Sequence, residues 1–233
     1  MQLKGKKALV LGGTSGIGLA TCRQLRDSGA EVIAISRNPS RIEPLDGVEL
    51  LACDVLDRQA LADVFADLAP YDILISAATG GDRAIGPFLE MDLDKYQASF
   101  DKLWGYTNVV QLGSPYLRDD GAIVLVSGSP ARKPRSGQIA LASVGAAVEQ
   151  FVRTVAKEIA PKRINIVAPG VIATPMYGPD EIANRKMLEG ATQNNIIPRP
   201  GHASEVAQAL LFLIQNDFVT GTTIDVDGGW LVS

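Results

Sequence analysis

The segment with the clearest chemical signature is a glycine-rich turn near the amino terminus, Gly12-Gly13-Thr14-Ser15-Gly16-Ile17-Gly18. Glycine is needed where the chain turns sharply, where backbone approaches a pyrophosphate and where a helix packs closely on a strand. A helix starting in this turn would offer unpaired N–H groups and its positive dipole end to phosphates. The turn lies between an apolar run and an amphipathic stretch, which favours a dinucleotide site over a turn without a ligand. The predicted contacts are Gly12, Thr14, Ser15, Gly16, Ile17 and Gly18.

The end of the second apolar run indicates which dinucleotide is bound. Proteins that select NAD place a carboxylate there, which accepts hydrogen bonds from the ribose 2′-hydroxyl. Here the run ends in Ser36-Arg37-Asn38, without an acid. The Arg37 guanidinium would bind a 2′-phosphate, and Ser36 and Asn38 would add neutral donors. The sequence therefore predicts NADP(H) rather than NAD(H), with an exposed loop arginine as the alternative.

The elements that position these residues alternate along the chain. Their apolar runs are continuous, which is typical of parallel strands covered on both faces. The predicted strands are Lys7–Leu11, Glu31–Ser36, Val48–Cys53, Ile73–Ser76, Ala122–Val126, Ile164–Ala168 and Thr223–Val226. The predicted helices are Gly16–Ser28, Arg58–Ala69, Leu93–Leu112, Gly137–Ala160 and Ser204–Asn216. This alternation predicts a Rossmann-type, doubly wound α/β fold: a seven-stranded parallel sheet with helices on both faces, in one domain over residues 1–233.

One region interrupts the alternation. Thr174–Pro200 contains four prolines and only a short helical stretch near Asp180–Leu188. A long irregular insertion after a strand end is more often a lid or binding loop than a domain boundary. We therefore predict a lid or substrate loop at about 174–200. Beyond it, Ser204 is the predicted N-cap of the next helix.

The glycine spacing GxxxGxG resembles that of the short-chain dehydrogenase/reductase family, and further matches follow in the family's order. They are Asp54-Val55, which matches its adenine-contacting pair, Pro169, Gly170, Ile172 and Thr174, which match its segment beneath the nicotinamide, and the carboxyl-terminal Asp225-Val226-Asp227-Gly228-Gly229. Ser76-Ala77-Ala78-Thr79 departs from the family's Asn-Asn-Ala-Gly, and Ser76, Ala77 and Ala78 are predicted cofactor contacts. The resemblance covers essentially the whole chain. It implies a small-molecule substrate and a homodimer or homotetramer formed through the Leu93–Leu112 and Gly137–Ala160 helices.

The resemblance also locates the family's four catalytic residues, Asn, Ser, Tyr and Lys. The start Gly137-Gln138 and the continuation Ala146-Ala147-Val148-Glu149 fix the register of that helix. The four positions, in the order Asn, Ser, Tyr and Lys, are then occupied by Lys102, Gly128, Leu141 and Gly145. Leucine neither donates nor accepts a proton, so this register excludes the family's tyrosine-dependent proton transfer.

Lys102, Ser127 and Ser129 are the remaining candidate catalytic residues. We hypothesise that the Lys102 ammonium reaches across the cleft to the nicotinamide ribose, where the family's lysine would lie, and that Gly145 leaves the space. The alternative is a surface or interface lysine, with Gly145 permitting close helix packing. Ser127 and Ser129 would either orient a carbonyl or simply terminate a strand. Arg132 would either bind an anionic group or lie solvated at the surface.

The composition excludes several classes of function. The net charge is −4 at pH 7 and the basic residues are scattered, which argues against a nucleic-acid or anionic-membrane partner. No apolar run has the length of a membrane span or signal-peptide core, so we predict a cytoplasmic location. With one histidine, His202, and two separate cysteines, Cys22 and Cys53, the chain lacks a ligand set for a metal.

Three functions remain open at this point. The favoured one is an NADP(H)-dependent oxidoreductase acting on a carbonyl or hydroxyl, with the proton supplied by water, Lys102 or the substrate's neighbour. The second is a non-redox enzyme on the same scaffold, such as an isomerase, dehydratase or cyclase. The third is a catalytically inactive NADP(H)-binding regulatory protein. The fold alone does not choose among them.

Overall fold

Nine strands form one large parallel sheet and one small pair in the computed structural model, which describes residues 1–79, 83–133, 135–178 and 181–233. The strands are β1 (Lys7–Leu11), β2 (Glu31–Ser36), β3 (Val48–Ala52), β4 (Tyr71–Ser76), β5 (Leu117–Val126), β6 (Arg163–Pro169), β7 (Ile172–Ala173), β8 (Gly201–His202) and β9 (Thr223–Val226). The seven-stranded sheet has the order β3-β2-β1-β4-β5-β6-β9, and all its pairs are parallel. The chain order reverses between β1 and β4, and ligands of such sheets bind outside the carboxyl ends of the strands at this point.

Helices cover both faces of this sheet. They are α1 (Gly16–Asp27), α2 (Arg58–Leu68), α3 (Leu93–Ala98), α4 (Asp101–Gly113), α5 (Ile139–Val155), α6 (Glu181–Thr192) and α7 (Ala203–Gln215). One apolar layer contains Phe65 of α2, Val109 of α4 and Val148 of α5, packed against alternate side chains of the strands. The opposite layer contains Leu25 of α1 and Leu210 of α7. The doubly wound, seven-stranded fold predicted from the sequence is confirmed.

The predicted element bounds are close to those observed. β1, β2 and β9 have the predicted bounds, and continuous buried aliphatic runs mark the first two clearly. β5 begins at Leu117 rather than Ala122, through a polar, exposed stretch that carries no strand signal. α5 is shorter than the predicted Gly137–Ala160. The two-residue strands β7 and β8 were not predicted, because two residues show no hydrophobic period.

The single helix predicted over Leu93–Leu112 is wrong: the structure has two helices, α3 and α4, separated at Ser99 and Phe100. The Ser99 hydroxyl donates to the Lys95 carbonyl oxygen at 2.8 Å and accepts the Ala84 N–H at 3.0 Å. A serine bonded to the carbonyl four residues earlier bends a helix. The break therefore follows from a contact with a loop before α3, which helical periodicity does not reveal.

The predicted lid contains two pieces of regular structure, the 3-10 turn Pro175–Tyr177 and helix α6. Pro179 and Asp180, the latter at the start of the predicted helical stretch, lie outside the described residues. Ile172 and Ala173 of β7 pair with β8, so the two ends of the lid region meet. The lid is therefore anchored at both ends beside the carboxyl edge of β6.

The N-cap of α7 is His202 and not the predicted Ser204. The His202 N–H donates to the Glu205 carboxylate at 2.7 Å, and the Arg199 guanidinium donates to the same carboxylate at 2.6 Å. These hydrogen bonds, that of Arg199 first, lower the pKa of Glu205 to about 2. A structural role for His202 therefore agrees with its position.

Within the described part of the chain, none of the helices has the length and apolar character needed to cross a membrane. The same residues contain no group of three or more His, Cys, Asp or Glu side chains arranged to hold a metal ion. The cytoplasmic location stays a prediction.

Candidate functional site

The glycine-rich turn joins β1 to α1 at the carboxyl edge of the sheet. A Cβ on Gly18 would lie 2.1 Å from the Gly12 carbonyl oxygen, and a Cβ on Gly13 would lie 2.7 Å from the Val10 carbonyl oxygen. Gly12 has φ +78° and Gly16 has φ +48°, a backbone region that favours glycine. The shape of the turn therefore depends on close backbone approach, as a pyrophosphate-binding loop requires.

The first turn of α1 presents its backbone N–H groups at this edge. Ser15 is the N-cap with extended backbone, and its side chain makes no capping hydrogen bond. The first return bond runs from the Leu19 N–H to the Ser15 carbonyl oxygen at 3.1 Å. The N–H groups of Gly16, Ile17 and Gly18 precede it and are oriented for an anionic ligand.

Two buried hydroxyls near the same edge have no hydrogen-bond partner within the described residues, Ser36 Oγ at the end of β2 and Ser76 Oγ at the end of β4. Buried polar groups are nearly always hydrogen-bonded, so an unpaired one indicates a missing partner. Arg37 and Asn38 follow Ser36 and are exposed. We call Gly12–Gly18 with these two serines the nucleotide cradle, and its donors and close approaches fit a dinucleotide.

The Asp54-Val55 turn follows β3 at the carboxyl edge of the sheet. The Asp54 carboxylate accepts the Leu56 N–H at 3.0 Å, and the Val55 carbonyl accepts from the Asn108 amide at 3.0 Å. These bonds hold the turn in one conformation. The adenine contact itself stays a prediction.

The segment predicted to lie beneath the nicotinamide connects β6 to the lid. A Cβ on Gly170 would lie 2.8 Å from the Asp227 Cα, and Ile172 is buried. A Cβ on Gly16 would lie 3.4 Å from the Thr174 side chain. The base of the lid therefore adjoins the nucleotide cradle, and the structure brings both predicted cofactor segments together.

Lys102 lies in the first turn of α4 and points toward the end of β5. Its Nζ donates to the Ser127 carbonyl oxygen at 3.2 Å and lies 5.6 Å from the centroid of the Tyr106 ring. Burial, and after it the charge of Arg83, lowers the pKa of Lys102 to about 7. The ammonium therefore lies at the carboxyl edge of the sheet, and it titrates in the range suited to acid–base catalysis.

Gly145 is explained by a neighbour other than Lys102. A Cβ on Gly145 would lie 2.9 Å from the Ala131 Cβ and 3.4 Å from the Ser127 Oγ. This supports close packing against α5, the alternative that the sequence left open. Ser127 nevertheless contacts both residues. Its carbonyl oxygen accepts from Lys102 Nζ, and its hydroxyl donates to the Gly145 carbonyl oxygen at 3.3 Å.

The other catalytic candidates differ in their access to solvent. Ser129 is fully buried and its hydroxyl donates to the Ala168 carbonyl oxygen at 3.4 Å, so it does not reach a substrate in this arrangement. Ser127 is also buried, with its hydroxyl directed at α5. Both serines thus terminate β5 and fix the following turn. Gly128 between them and Leu141 at the start of α5 are partly buried.

Arg132 neither faces an anionic substrate nor lies free at the surface, so both expectations for it were wrong. Its Nε lies 3.2 Å from both carboxylate oxygens of buried Glu149, and its Nη1 lies 2.6 Å from an Asp225 oxygen. The two acids are 17 and 93 residues away in sequence, so no local pattern marks them as partners. Arg132 is part of the structure that joins α5 to β9.

The structure adds Arg83, which the sequence analysis overlooked. This exposed residue follows β4, and its Nη1 lies 2.7 Å from the Met176 Sδ on the lid. Its charge lowers the pKa of Lys102, and it opposes the rise that burial causes in the pKa of Tyr106 and of Tyr177. Arg83 lies in an irregular loop without periodicity, so no sequence signal distinguished it from an ordinary surface arginine.

The chain is similar to known proteins over nearly its whole length. A family model described as enoyl-(acyl carrier protein) reductase matches residues 12–231. A 3-oxoacyl-(acyl-carrier-protein) reductase of Thermotoga maritima is 34% identical over 100% of both chains, and an L-xylulose reductase of Bos taurus is 29% identical over 100% of this chain and 99% of the relative. The crystal structure of a small-chain dehydrogenase in complex with NADPH superposes with a TM-score of 0.83 at 30% identity, covering 99% of this chain and 100% of the other.

Proposed function

Because the chain belongs to the short-chain dehydrogenase/reductase family, we propose that it is an NADP(H)-dependent oxidoreductase that interconverts a carbonyl and a hydroxyl on a small molecule, with Lys102 transferring the proton. One observation carries the proposal. The Lys102 ammonium is held on the Ser127 carbonyl at the end of β5, and its pKa is lowered to about 7. A lysine placed there for surface charge would remain hydrated at its ordinary pKa.

The nucleotide cradle supports the cofactor assignment. Gly12 and Gly18 permit the close approach that a pyrophosphate needs, and the first N–H groups of α1 face the same space. Arg37 would pair with a 2′-phosphate, and the Ser36 hydroxyl beside it has no other partner. The similar small-chain dehydrogenase that was solved in complex with NADPH also supports NADP(H) as the cofactor. When bound, NADPH supplies a hydride to the carbonyl carbon.

Lys102 would supply the proton for the carbonyl oxygen. As negative charge develops on that oxygen, the ammonium gives it a proton and becomes a neutral amine, which solvent then reprotonates. In the opposite direction the neutral amine accepts the hydroxyl proton. At the positions that the family's tyrosine and lysine would occupy, Leu141 and Gly145 have no titratable group, whereas Lys102 supplies one at the end of β5.

Lys102→Met and Lys102→Arg test the proposal on a panel of carbonyl compounds, with NADPH absorbance as the readout. We expect Lys102→Met to lower kcat by about 100- to 10,000-fold, as loss of a general acid does. In the wild type, kcat for reduction should fall as the pH rises through about 7. Lys102→Arg, which stays charged, should lack that fall. A wild-type kcat in Lys102→Met would overturn the proton-transfer role.

The cofactor part of the proposal has its own measurement. If the ammonium also contacts the nicotinamide ribose, Lys102→Ala should weaken NADPH binding by about tenfold, the value of one charge-assisted hydrogen bond. An unchanged dissociation constant would mean that Lys102 does not contact the ribose. The acid–base role would still be tested by the pH profile. Turnover of a substrate with no change in NADPH absorbance would identify a non-redox enzyme instead.

A homo-oligomer is also proposed, through α4 and α5. Trp104 on α4 is 54% exposed, and a groove of about 500 Å³ runs between the two helices past Val110, Phe151 and Val155. Large exposed apolar groups beside a groove are typical of subunit interfaces. Light scattering during gel filtration should give a dimer or tetramer, and Trp104→Glu should dissociate it. A monomeric wild type at micromolar concentration would contradict this assembly.

A further inference from the structure

Two cationic side chains, those of Arg83 and Lys102, lie near the carboxyl edge of the sheet. Arg83 comes from the loop after β4 and Lys102 from α4, and they are near enough for one charge to lower the pKa of the other. In the described ranges, none of the ion pairs includes either residue. We call these two residues the cation pair.

Arg132 is an example of an arginine with a structural role in this chain. Its guanidinium contacts two carboxylates, those of Glu149 and Asp225. The contact of Arg83 is different, since within the described residues its Nη1 meets only the thioether of Met176, a weak acceptor. A guanidinium has five N–H donors in a planar fork, so most of the Arg83 donors remain for a ligand.

The backbone that carries Arg83 is fixed on the side away from the lid. The Ala84 N–H donates to the Ser99 hydroxyl at 3.0 Å, and the Gly86 N–H donates to the Gly137 carbonyl oxygen at 2.9 Å. The Arg83 guanidinium contacts Met176, in the 3-10 turn of the lid. Arg83 is therefore an exposed residue on an anchored loop, with its guanidinium against the lid.

From this arrangement we propose that Arg83 binds a carboxylate on the substrate, so that the protein acts on oxo acids or hydroxy acids rather than on neutral carbonyl compounds. This rests on the proposed function. A carboxylate matches the planar guanidinium fork bidentately, which would fix the acid end of the substrate at Arg83. The carbonyl of the same substrate would then lie toward Lys102, the proton donor.

Charge balance strengthens the assignment. The described groups that face Lys102 are the Ser127 carbonyl, the Tyr106 ring and Arg83, and Tyr177 faces Arg83 from the lid. A bound carboxylate offsets the Arg83 charge, so it removes one cause of the lowered Lys102 pKa. An acidic substrate would thereby favour the protonated form of Lys102 more than a neutral substrate does.

Matched substrates test the proposal by turnover. Acetoacetate and 2-oxobutanoate are compared with their methyl esters, using the purified full chain and NADPH. We expect the wild type to favour the acids by about 100-fold in kcat/KM, and Arg83→Gln to lose that preference while the esters change by less than about threefold. Arg23→Gln, an exposed arginine on α1, controls for the loss of one positive charge. Equal use of acid and ester by the wild type, or an unchanged preference in Arg83→Gln, would overturn the proposal.

A binding measurement separates this inference from the proposed function. Calorimetry on the NADP⁺-loaded protein uses oxamate and malonate as probes and their neutral methyl esters as controls. We expect binding of the two anions to weaken by about 30-fold in Arg83→Gln and by less in Arg83→Lys, which keeps the charge but loses the fork. Anion binding that depends on Arg83 without reduction of any carbonyl would reject the proposed function alone. Reduction of neutral carbonyls without anion binding would reject the inference alone.

Discussion

The nucleotide cradle and the cation pair lie at the same edge of the sheet but are built from different atoms. The cradle is shaped by backbone: Gly18 has a carbonyl oxygen 2.1 Å from the place of its missing Cβ. The cation pair consists of long side chains, Arg83 and Lys102, whose hydrogen-bond acceptors within the described residues are one thioether and one backbone carbonyl. One region is specified by the absence of side chains, and the other by two charges without a carboxylate partner in the described part of the chain.

This difference indicates at which residues a substitution should lower stability and function together, and at which it should lower function while raising stability. Substituting a cradle glycine should damage both the fold and cofactor binding, because the same backbone contacts serve both. Substituting Lys102 should damage turnover while relieving the fold of a desolvated charge. A strained or unpaired group retained at a functional site is a common origin of such a trade-off. The following three predictions test this contrast.

The largest effect is expected for Gly18→Ala. The new methyl group would meet the Gly12 backbone, which has little freedom to move, so we expect about 2–4 kcal/mol of lost stability and at least about 100-fold weaker NADPH binding. Thermal unfolding and a fluorescence titration with NADPH measure the two losses. Gly190→Ala on α6 is the control, since nothing lies within 4 Å of its new Cβ. It should leave NADPH binding unchanged, and wild-type binding in Gly18→Ala would refute the role of the cradle.

Arg37→Gln should produce a smaller, selective loss. Removing the charged partner of a 2′-phosphate should weaken NADPH by about 10- to 100-fold, equivalent to about 1.5–3 kcal/mol, and leave NADH unaffected. Titration of both cofactors, with Arg23→Gln as the charge control, gives the ratio directly. Equal losses for NADPH and NADH would mean that Arg37 does not read the 2′ position.

The smallest effect concerns stability against pH at Lys102. Its pKa in the fold is about 7 against 10.5 ordinarily, so between these values the unfolded chain binds more protons and stability rises with pH. The loss of stability caused by the buried Lys102 charge is largest below pH 7 and decreases toward pH 10.5. We therefore expect Lys102→Met to be more stable than the wild type by about 1–3 kcal/mol near neutral pH, with the difference shrinking in alkali. Denaturant titrations between pH 7 and 10.5 measure this difference in the free energy of unfolding. A difference that does not change with pH would contradict the lowered pKa of Lys102.

The parts of the molecule that sequence predicts well are those with a local physical cause. The bounds of β1 and β2 follow from continuous apolar runs, and the cradle follows from glycines between a strand and a helix. The helix break at Ser99 depends on the Ala84 N–H, fifteen residues away, and periodicity therefore missed it. Local signals found the nucleotide site but could not place the break.

The part of the candidate site outside the nucleotide cradle was less predictable. Whether a charged side chain there has a partner depends on residues that are distant in sequence. Arg132 and Arg83 both follow strands and look alike in sequence. Only the fold shows that Arg132 reaches Glu149 and Asp225 while Arg83 reaches the lid. The structure places Lys102 at the end of β5, where its catalytic role stays a prediction, and it explains Gly145 by close packing on Ala131 rather than by space for Lys102.

The bond between the Ala84 N–H and the Ser99 hydroxyl has a consequence for the catalytic cycle. It joins the loop of Arg83 to the start of α4, so the spacing of the two charges is set by framework and not by the lid. Within the described residues, an opening of the lid at Met176 would break only the thioether contact of Arg83 and would leave its loop joined to α4. In the proposed reaction, the charge of Arg83 would then keep acting on Lys102 whether the lid is open or closed.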